Sequence, residues 1–350
     1  MPAPPPTVSG VHLVGSVPLS STDAVFKKLT STLPSRLHSI PDGETGSRLN
    51  FIVWERSRFP PKTLKYANGG INLPTGHSGE FSQDDVKPTD YGTAAVESYR
   101  AFCEQREKEV IPAGVRFQVS LPLPWAVVAG HVRSEFHAVL EPLYSKRLAD
   151  ALATILENIP VADLAIQLDL ARETLALEYE RGRLSEEFRP HFADSEGILQ
   201  GMLARIQRFA SLIPNNVPLG FHFCYGDRDH KHYVEPEDLG VAVGFVNAIR
   251  GALKRRISWV HIPVPKDRDD AAYSEPLRRL ELGVGSPDEM KLYLGLVHAN
   301  DEEGTRKRIE AALSFVKGFG VATECGLGRT PVEELDSILS ISREVSGPVH

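Results

Sequence analysis

The chain has 350 residues, 41% hydrophobic and 24% charged, the proportions of an ordinary globular protein. A formal net charge of -7 leaves no basic footprint for phosphate backbones, and no apolar run approaches the roughly 20 residues that span a bilayer, so neither nucleic acid nor a membrane is an expected partner. Three cysteines, Cys103, Cys224 and Cys325, are too few and too odd in number for a disulfide framework and suit a reducing compartment.

The opening MPAPPPTVSG has neither a basic n-region nor an apolar h-region, so residues 1–9 read as a flexible Pro-rich tail and the expected location is the cytoplasm. After it, short β-branched or aromatic runs closed by turn residues predict strands at 10–14, 36–40, 116–121, 164–168, 219–224, 257–262, 292–297 and 320–324. Helical periodicity lies between them at 22–33, 92–110, 135–158, 195–212, 236–253, 302–317 and 331–345. Ser21 and Asp301, and Thr330 ahead of Pro331, stand where first turns want caps or proline. Alternating strands and helices argue for a parallel sheet. A count of eight argues for its closure into a single α/β barrel, a (β/α)8 TIM barrel over residues 10–350, with an open doubly wound sheet as the other possibility. Residues 59–91, rich in Pro, Gly, Asn and Ser, read as an insertion after strand two and a candidate lid. The charged segment 174–192 reads as a further excursion over the same mouth.

A barrel of this kind builds its active site at the carboxyl ends of its strands. Those ends carry Gly15-Ser16, Pro41-Asp42-Gly43-Glu44, Pro122-Leu123-Pro124-Trp125, Asp169, His222-Phe223-Cys224, Pro263-Val264-Pro265, His298 and Cys325-Gly326. His222 and Cys224 are two apart on one strand, so an imidazole and a thiol point to the same side, and Cys325 has only to cross the mouth to join them. One nitrogen and two thiolates are a donor set suited to zinc, with the open position of a catalytic site. The bland reading is a buried histidine beside two inert thiols.

The pattern of these strand ends resembles the C-terminal catalytic barrel of cobalamin-independent methionine synthase, in a superfamily with uroporphyrinogen decarboxylase and zinc-dependent alkylthiol transferases. The matching residues are Val14-Gly15-Ser16-Val17-Pro18, Ile166-Gln167-Leu168-Asp169, His222-Phe223-Cys224-Tyr225, His298 and Glu324-Cys325-Gly326-Leu327, in family order over almost the whole chain. The resemblance implies a zinc-dependent methyl or other alkyl transfer to a thiol or related small molecule, with zinc on His222, Cys224 and Cys325. The donor would be of the 5-methyltetrahydrofolate or corrinoid type. Asp169 would hold a substrate amino group, Gly15 and Ser16 its carboxylate, and His298 would supply the proton that the departing carrier needs. The family's fourth ligand, a strand-six Glu, is missing: His261-Ile262-Pro263-Val264-Pro265 stands there, so the metal is held by three protein ligands or absent, and His261, which could replace the lost ligand, is expected inside the strand. The second family Glu for the amino group also has no clean counterpart, Glu55 being out of step. The folate-binding N-terminal half of the long synthases is not present, so the donor is expected to enter directly or on a carrier molecule or protein.

Asp42-Gly43-Glu44 with Arg48 resembles the Pro-Asp-Gly-Glu-x-Gly-x-Arg signature of short members; its carboxylates bind a substrate cation or act as acid and base, or Asp42 merely caps a turn. Trp125 is expected as an apolar wall of the pocket, and Glu173 as a surface partner of Arg172 or Arg181. Asp227-Arg228-Asp229-His230-Lys231-His232 reads as solvated surface, and Gly326-Leu327-Gly328-Arg329 as a turn with a weak likeness to a phosphate loop. Cys103 fits a helix and is given no chemistry. Two other functions compete: a lyase, decarboxylase or hydrolase working through Asp42, Glu44, Asp169 and His298 without transfer, and a non-catalytic barrel that binds a small molecule.

Overall fold

All eight expected strands form, and all pair in parallel. The computed structural model describes residues 8–50, 53–65, 80–226 and 231–349. The strands are β1 (Val8–Val11), β2 (Ser39–Pro41), β3 (Arg116–Pro122), β4 (Leu164–Leu170), β5 (Leu219–Phe223), β6 (Trp259–Pro263), β7 (Lys291–Gly295) and β8 (Phe319–Val321). They make one sheet in the order β1-β8-β7-β6-β5-β4-β3-β2. The helices between them are α1 (Thr22–Thr32), α2 (Tyr91–Glu107), α3 (Pro124–His131), α4 (His137–Asn158), α5 (Ala171–Glu180), α6 (Ala193–Glu196), α7 (Ile198–Ala210), α8 (Gly240–Ala252), α9 (Ala271–Ser274), α10 (Glu302–Leu313) and α11 (Leu335–Val345). Ser21 caps α1 through the amide of Ala24, and Asp301 caps α10 through that of Gly304, as the sequence predicts.

The sheet is curled. Beyond β1 the chain reaches the middle of the sheet's inner face: the His12 imidazole is 2.7 Å from Gln167 Oε1, and Gln118 Nε2 donates to the carbonyl of Leu13 at 2.9 Å. The two end strands share no ladder among the described residues; they are joined by the Val11 amide on the Arg36 carbonyl and by an isolated parallel bridge from Ser16 to Gly43. The inner face carries His12, Gln118, Gln167 and His261, all buried and bonded to one another or to main chain, as interior polar groups must be. Gly220 makes room there: a Cβ would lie 1.9 Å from the Trp259 indole. The apolar core lies between the sheet and its helices.

Two of the longer helices depart from the expectation. Residues 124–131 read as a turn followed by a wall residue, yet they form α3, with Pro124 at its first position. Pro-Trp-Ala-Val-Val-Ala is apolar on every side, so it carries no helical period to detect, and it is buried on nearly every side. The helix after β4 begins at Ala171, three residues before the excursion read at 174–192. Of the region 59–91, the described residues form tight turns at Pro61–Thr63 and Gln83–Asp85. Residues 66–79 of that expected lid, 1–7 of the expected tail and 227–230 of the mixed-charge loop lie outside the described residues.

Candidate metal centre and its two cavities

Register sets the site. In the parallel ladders Asp169 of β4 stands opposite His222 of β5, and His222 opposite His261 of β6, so three polar side chains share one level and one face. Cys224 follows β5 and Cys325 follows β8. Their sulfurs are 3.8 Å apart, Cys325 Sγ is 3.7 Å from His222 Nε2, and all three atoms lie within 4.8 Å of one another. Tetrahedral zinc with ordinary bond lengths sets sulfur to sulfur at about 3.8 Å and sulfur to nitrogen at about 3.6 Å. The donor set therefore fits the metal in kind and in the spacings of Cys325 to its two partners. The Gly226 amide donates to Cys224 Sγ at 3.3 Å and orients it. Contact with Cys224 and burial push the Cys325 thiol well above its usual range in the metal-free protein; a cation at this point would reverse that.

Two cavities meet at the cysteines. The first, about 610 Å³, is lined by Gly15, Ser16, Glu44, Asp169, His222, Cys224 and Cys325, and also by Arg56, Arg172 and Arg329. The second, about 780 Å³, shares Cys224 and Cys325 and adds His232, Glu324, Lys266, Arg268 and His298.

In the first cavity, burial raises Asp169 to about 6, partly offset by His222 and by the Gln167 amide, which donates at 2.9 Å. Glu44 is pushed well above the carboxylate range by burial and by Asp42 and Asp169. It has a positive φ of 48°, uncommon for a residue with a side chain. Gly15 is the reason that Glu44 fits: a Cβ there would lie 2.9 Å from its carboxylate. Two carboxyl groups held above their usual range favour an incoming cation or a proton.

Asp42 is turned inward. It accepts from the Ser98 hydroxyl at 2.6 Å and the Glu44 amide at 2.8 Å and pairs with Arg48 at 2.8 Å. Asp42 and Arg48 thus brace Glu44 and line a small separate cavity, not the large ones. Trp125 is 1% exposed and packs edge-on against Phe192, and α3 contributes Ala126 and Gly130 to the cavity wall instead. Ser16 faces the cavity while its Oγ accepts from the Gly328 amide at 3.0 Å and its carbonyl from that of Leu327 at 2.7 Å. Those two amides are spent on Ser16, which removes the phosphate-loop reading; the glycines serve close approach, since a Cβ on Gly326 would lie 2.4 Å from Ser16 Oγ.

In the second cavity His298 is lowered to about 4, by burial first and then by Arg308. Its Nε2 lies 3.1 Å from the Val264 carbonyl, and its Nδ1 lies 3.9 Å from Glu324, which His232 approaches at 3.7 Å. His298 is thus neutral at neutral pH and stores no proton, unlike the acid that the resemblance implies. Glu55 is buried with the Tyr144 hydroxyl donating to its carboxylate, and it lines neither large cavity. Glu173 is fully buried, with no hydrogen-bond partner for either oxygen among the described residues, while Arg172 and Arg181 pair elsewhere; it is no surface ion pair. Cys103 sits on α2, a free, half-buried thiol against the core. The sequence reading gave Glu324 no role of its own and expected His261 inside its strand, where it lies; register puts it beside His222.

No family model matches the chain, and no curated protein matches it. Among solved structures it is similar to a Listeria monocytogenes protein provisionally assigned as a vitamin-B12 independent methionine synthase, at 15% identity and TM-score 0.52, covering 97% of this chain and 99% of that one. A B12-independent methionine synthase from Shewanella sp. W3-18-1, in complex with selenomethionine, follows at 14% identity and TM-score 0.47, over 73% of this chain and 65% of that one. A methyltransferase from Methanosarcina mazei follows at 12% and 0.44, over 94% of each. The first likeness is one of fold alone: across nearly its whole length the chain shares the architecture of the Listeria structure, and a His/Cys/Cys cluster able to hold a metal lies at the carboxyl ends of its strands.

Proposed function

We propose that residues 10–350 form one closed catalytic barrel that transfers an alkyl group, methyl in the simplest case, to a small thiol carrying a cationic group. The observation that carries this reading is the spacing of His222, Cys224 and Cys325, which suits zinc. Zinc held there by three residues would keep a bound thiol as a nucleophilic thiolate at neutral pH. Asp169 and Glu44 take the cationic end of the substrate, and Gly15 and Ser16 hold its other polar end. In the transfer a sulfur–carbon bond forms, the bond from carbon to carrier breaks, and the carrier leaves with the electron pair and takes up a proton. His298, facing Glu324, relays that proton from the second cavity. Arg56, Arg172 and Arg329 give the first cavity a cationic rim suited to an anionic portion of substrate or donor.

Protein purified without chelator should hold about one equivalent of zinc. Methylation of an aminothiol by a methyl-tetrahydrofolate or methyl-corrinoid donor should stop on chelation and return with zinc. Zinc below about a tenth of an equivalent, or turnover untouched in Cys325→Ser but lost in Asp169→Asn, would favour instead a lyase, decarboxylase or hydrolase working through the carboxylates.

A further inference from the structure

His261 is 0% exposed, lies on β6 and touches both halves of the metal-binding set. Its Nε2 is 2.9 Å from the carbonyl of Thr323, two residues before Cys325, and its Nδ1 is 2.7 Å from Nδ1 of His222. Thr323 is itself tied forward, its hydroxyl donating to the Cys325 carbonyl at 2.8 Å. One imidazole on strand six therefore bridges the end of strand five and the end of strand eight.

The hydrogen-bond directions follow from what each atom can do. A carbonyl only accepts, so His261 Nε2 carries a hydrogen. A sealed imidazolium flanked by His222 and His12 would be costly to bury, so His261 is neutral and its Nδ1 is a lone pair. His222 must then donate from Nδ1, which leaves the lone pair of its Nε2 aimed at Cys325 Sγ, 3.7 Å away.

We propose that His261 is a positioning residue that locks His222 in the Nδ1–H tautomer and presents its Nε2 to the metal. The inference deepens the zinc reading and rests on it for its purpose, but the tautomer exists without metal. Strand six, which carries no carboxylate ligand, thus contributes through the first ligand rather than directly.

The test begins on wild-type, metal-free protein labelled with ¹⁵N-histidine. Long-range proton–nitrogen correlation should show His222 protonated at Nδ1; protonation at Nε2 would overturn the proposal whether or not zinc is ever bound. Chelator competition with zinc alone then reads affinity. His261→Phe should weaken binding about 10–100-fold, the usual effect of removing a group that orients a ligand histidine. His261→Gln, which can still donate to Thr323 and accept from His222, should recover most of that loss. Equal affinity in wild type and a folded His261→Phe protein, or equal loss in Gln and Phe, would refute the role. Absence of zinc binding by wild type with the Nδ1–H tautomer present would defeat the proposed function and leave this inference standing.

Discussion

The two cavities share a wall of two sulfurs and differ in almost everything else. The first is floored by carboxyl groups that burial holds above their usual range, with Glu44 at a positive φ and its carboxylate in space that Gly15 leaves. The second holds imidazoles and Glu324, with Lys266 and Arg268 at its edge. For the transfer proposed above, a carboxyl-lined chamber and an imidazole-lined chamber that meet at Cys224 and Cys325 offer separate places for the two substrates. Acceptor and leaving group can then be served by different groups without competing for the same atoms. A hydrolase would gather acid, base and substrate in one chamber instead.

Substitutions on each side separate the two roles. The largest effect is expected from His298→Asn in the second cavity: kcat should drop on the order of 10²-fold, the scale of positioned proton transfer, with KM for the thiol unchanged. A rise in that KM with kcat intact would place His298 with the acceptor and collapse the division. Asp169→Asn, in the first cavity, should raise KM for a cationic thiol about 30-fold, corresponding to roughly 2 kcal/mol for a charged hydrogen bond, and leave an uncharged thiol unaffected.

The same carboxyl group predicts a pH limb. With Asp169 near 6, its anionic form is present above that value, so kcat/KM for a cationic thiol should rise as pH climbs through about 6. The limb should vanish in Asp169→Asn, and a profile flat from pH 5 to 8 in wild type would show that Asp169 does not meet the substrate's charge.

The smallest effect on catalysis, though not on stability, belongs to Glu173, on α5 behind the first cavity. Burial raises it from 4.5 to about 8. The folded state then holds its proton more tightly than the unfolded state, so its contribution to stability declines as pH rises from about 4.5 to about 8. Glu173→Gln should remove that slope and raise the free energy of unfolding at pH 9 by on the order of a few kcal/mol, with no gain at pH 4. Urea melts at the two pH values check this, and an equal change at both would assign the effect to packing instead.

Much of the frame was legible because it repeats. Eight β-branched runs between helical periods could scarcely make anything but a parallel sheet, and His222 and Cys224 had to share a face because a strand alternates every residue. The helix at 124–131 was not legible: a segment apolar on every side has no period, and Trp125, read as a cavity wall, turned out to be core. Asp42 and Glu44 look equivalent around one glycine. Only the fold turned Asp42 to Ser98 and Arg48 and left Glu44 facing the cavity.

The sequence by itself determined the order of strands and helices and the residue types at the strand ends, since these depend on local periodicity and turn chemistry. Tertiary structure alone decided that a sulfur 101 positions from its partner would stop 3.8 Å away, that His261 would stand level with His222, and that the polar groups would divide into two chambers. Those facts depend on register between strands and on the curl of the sheet, which are sums over many contacts and are written in no single stretch of chain.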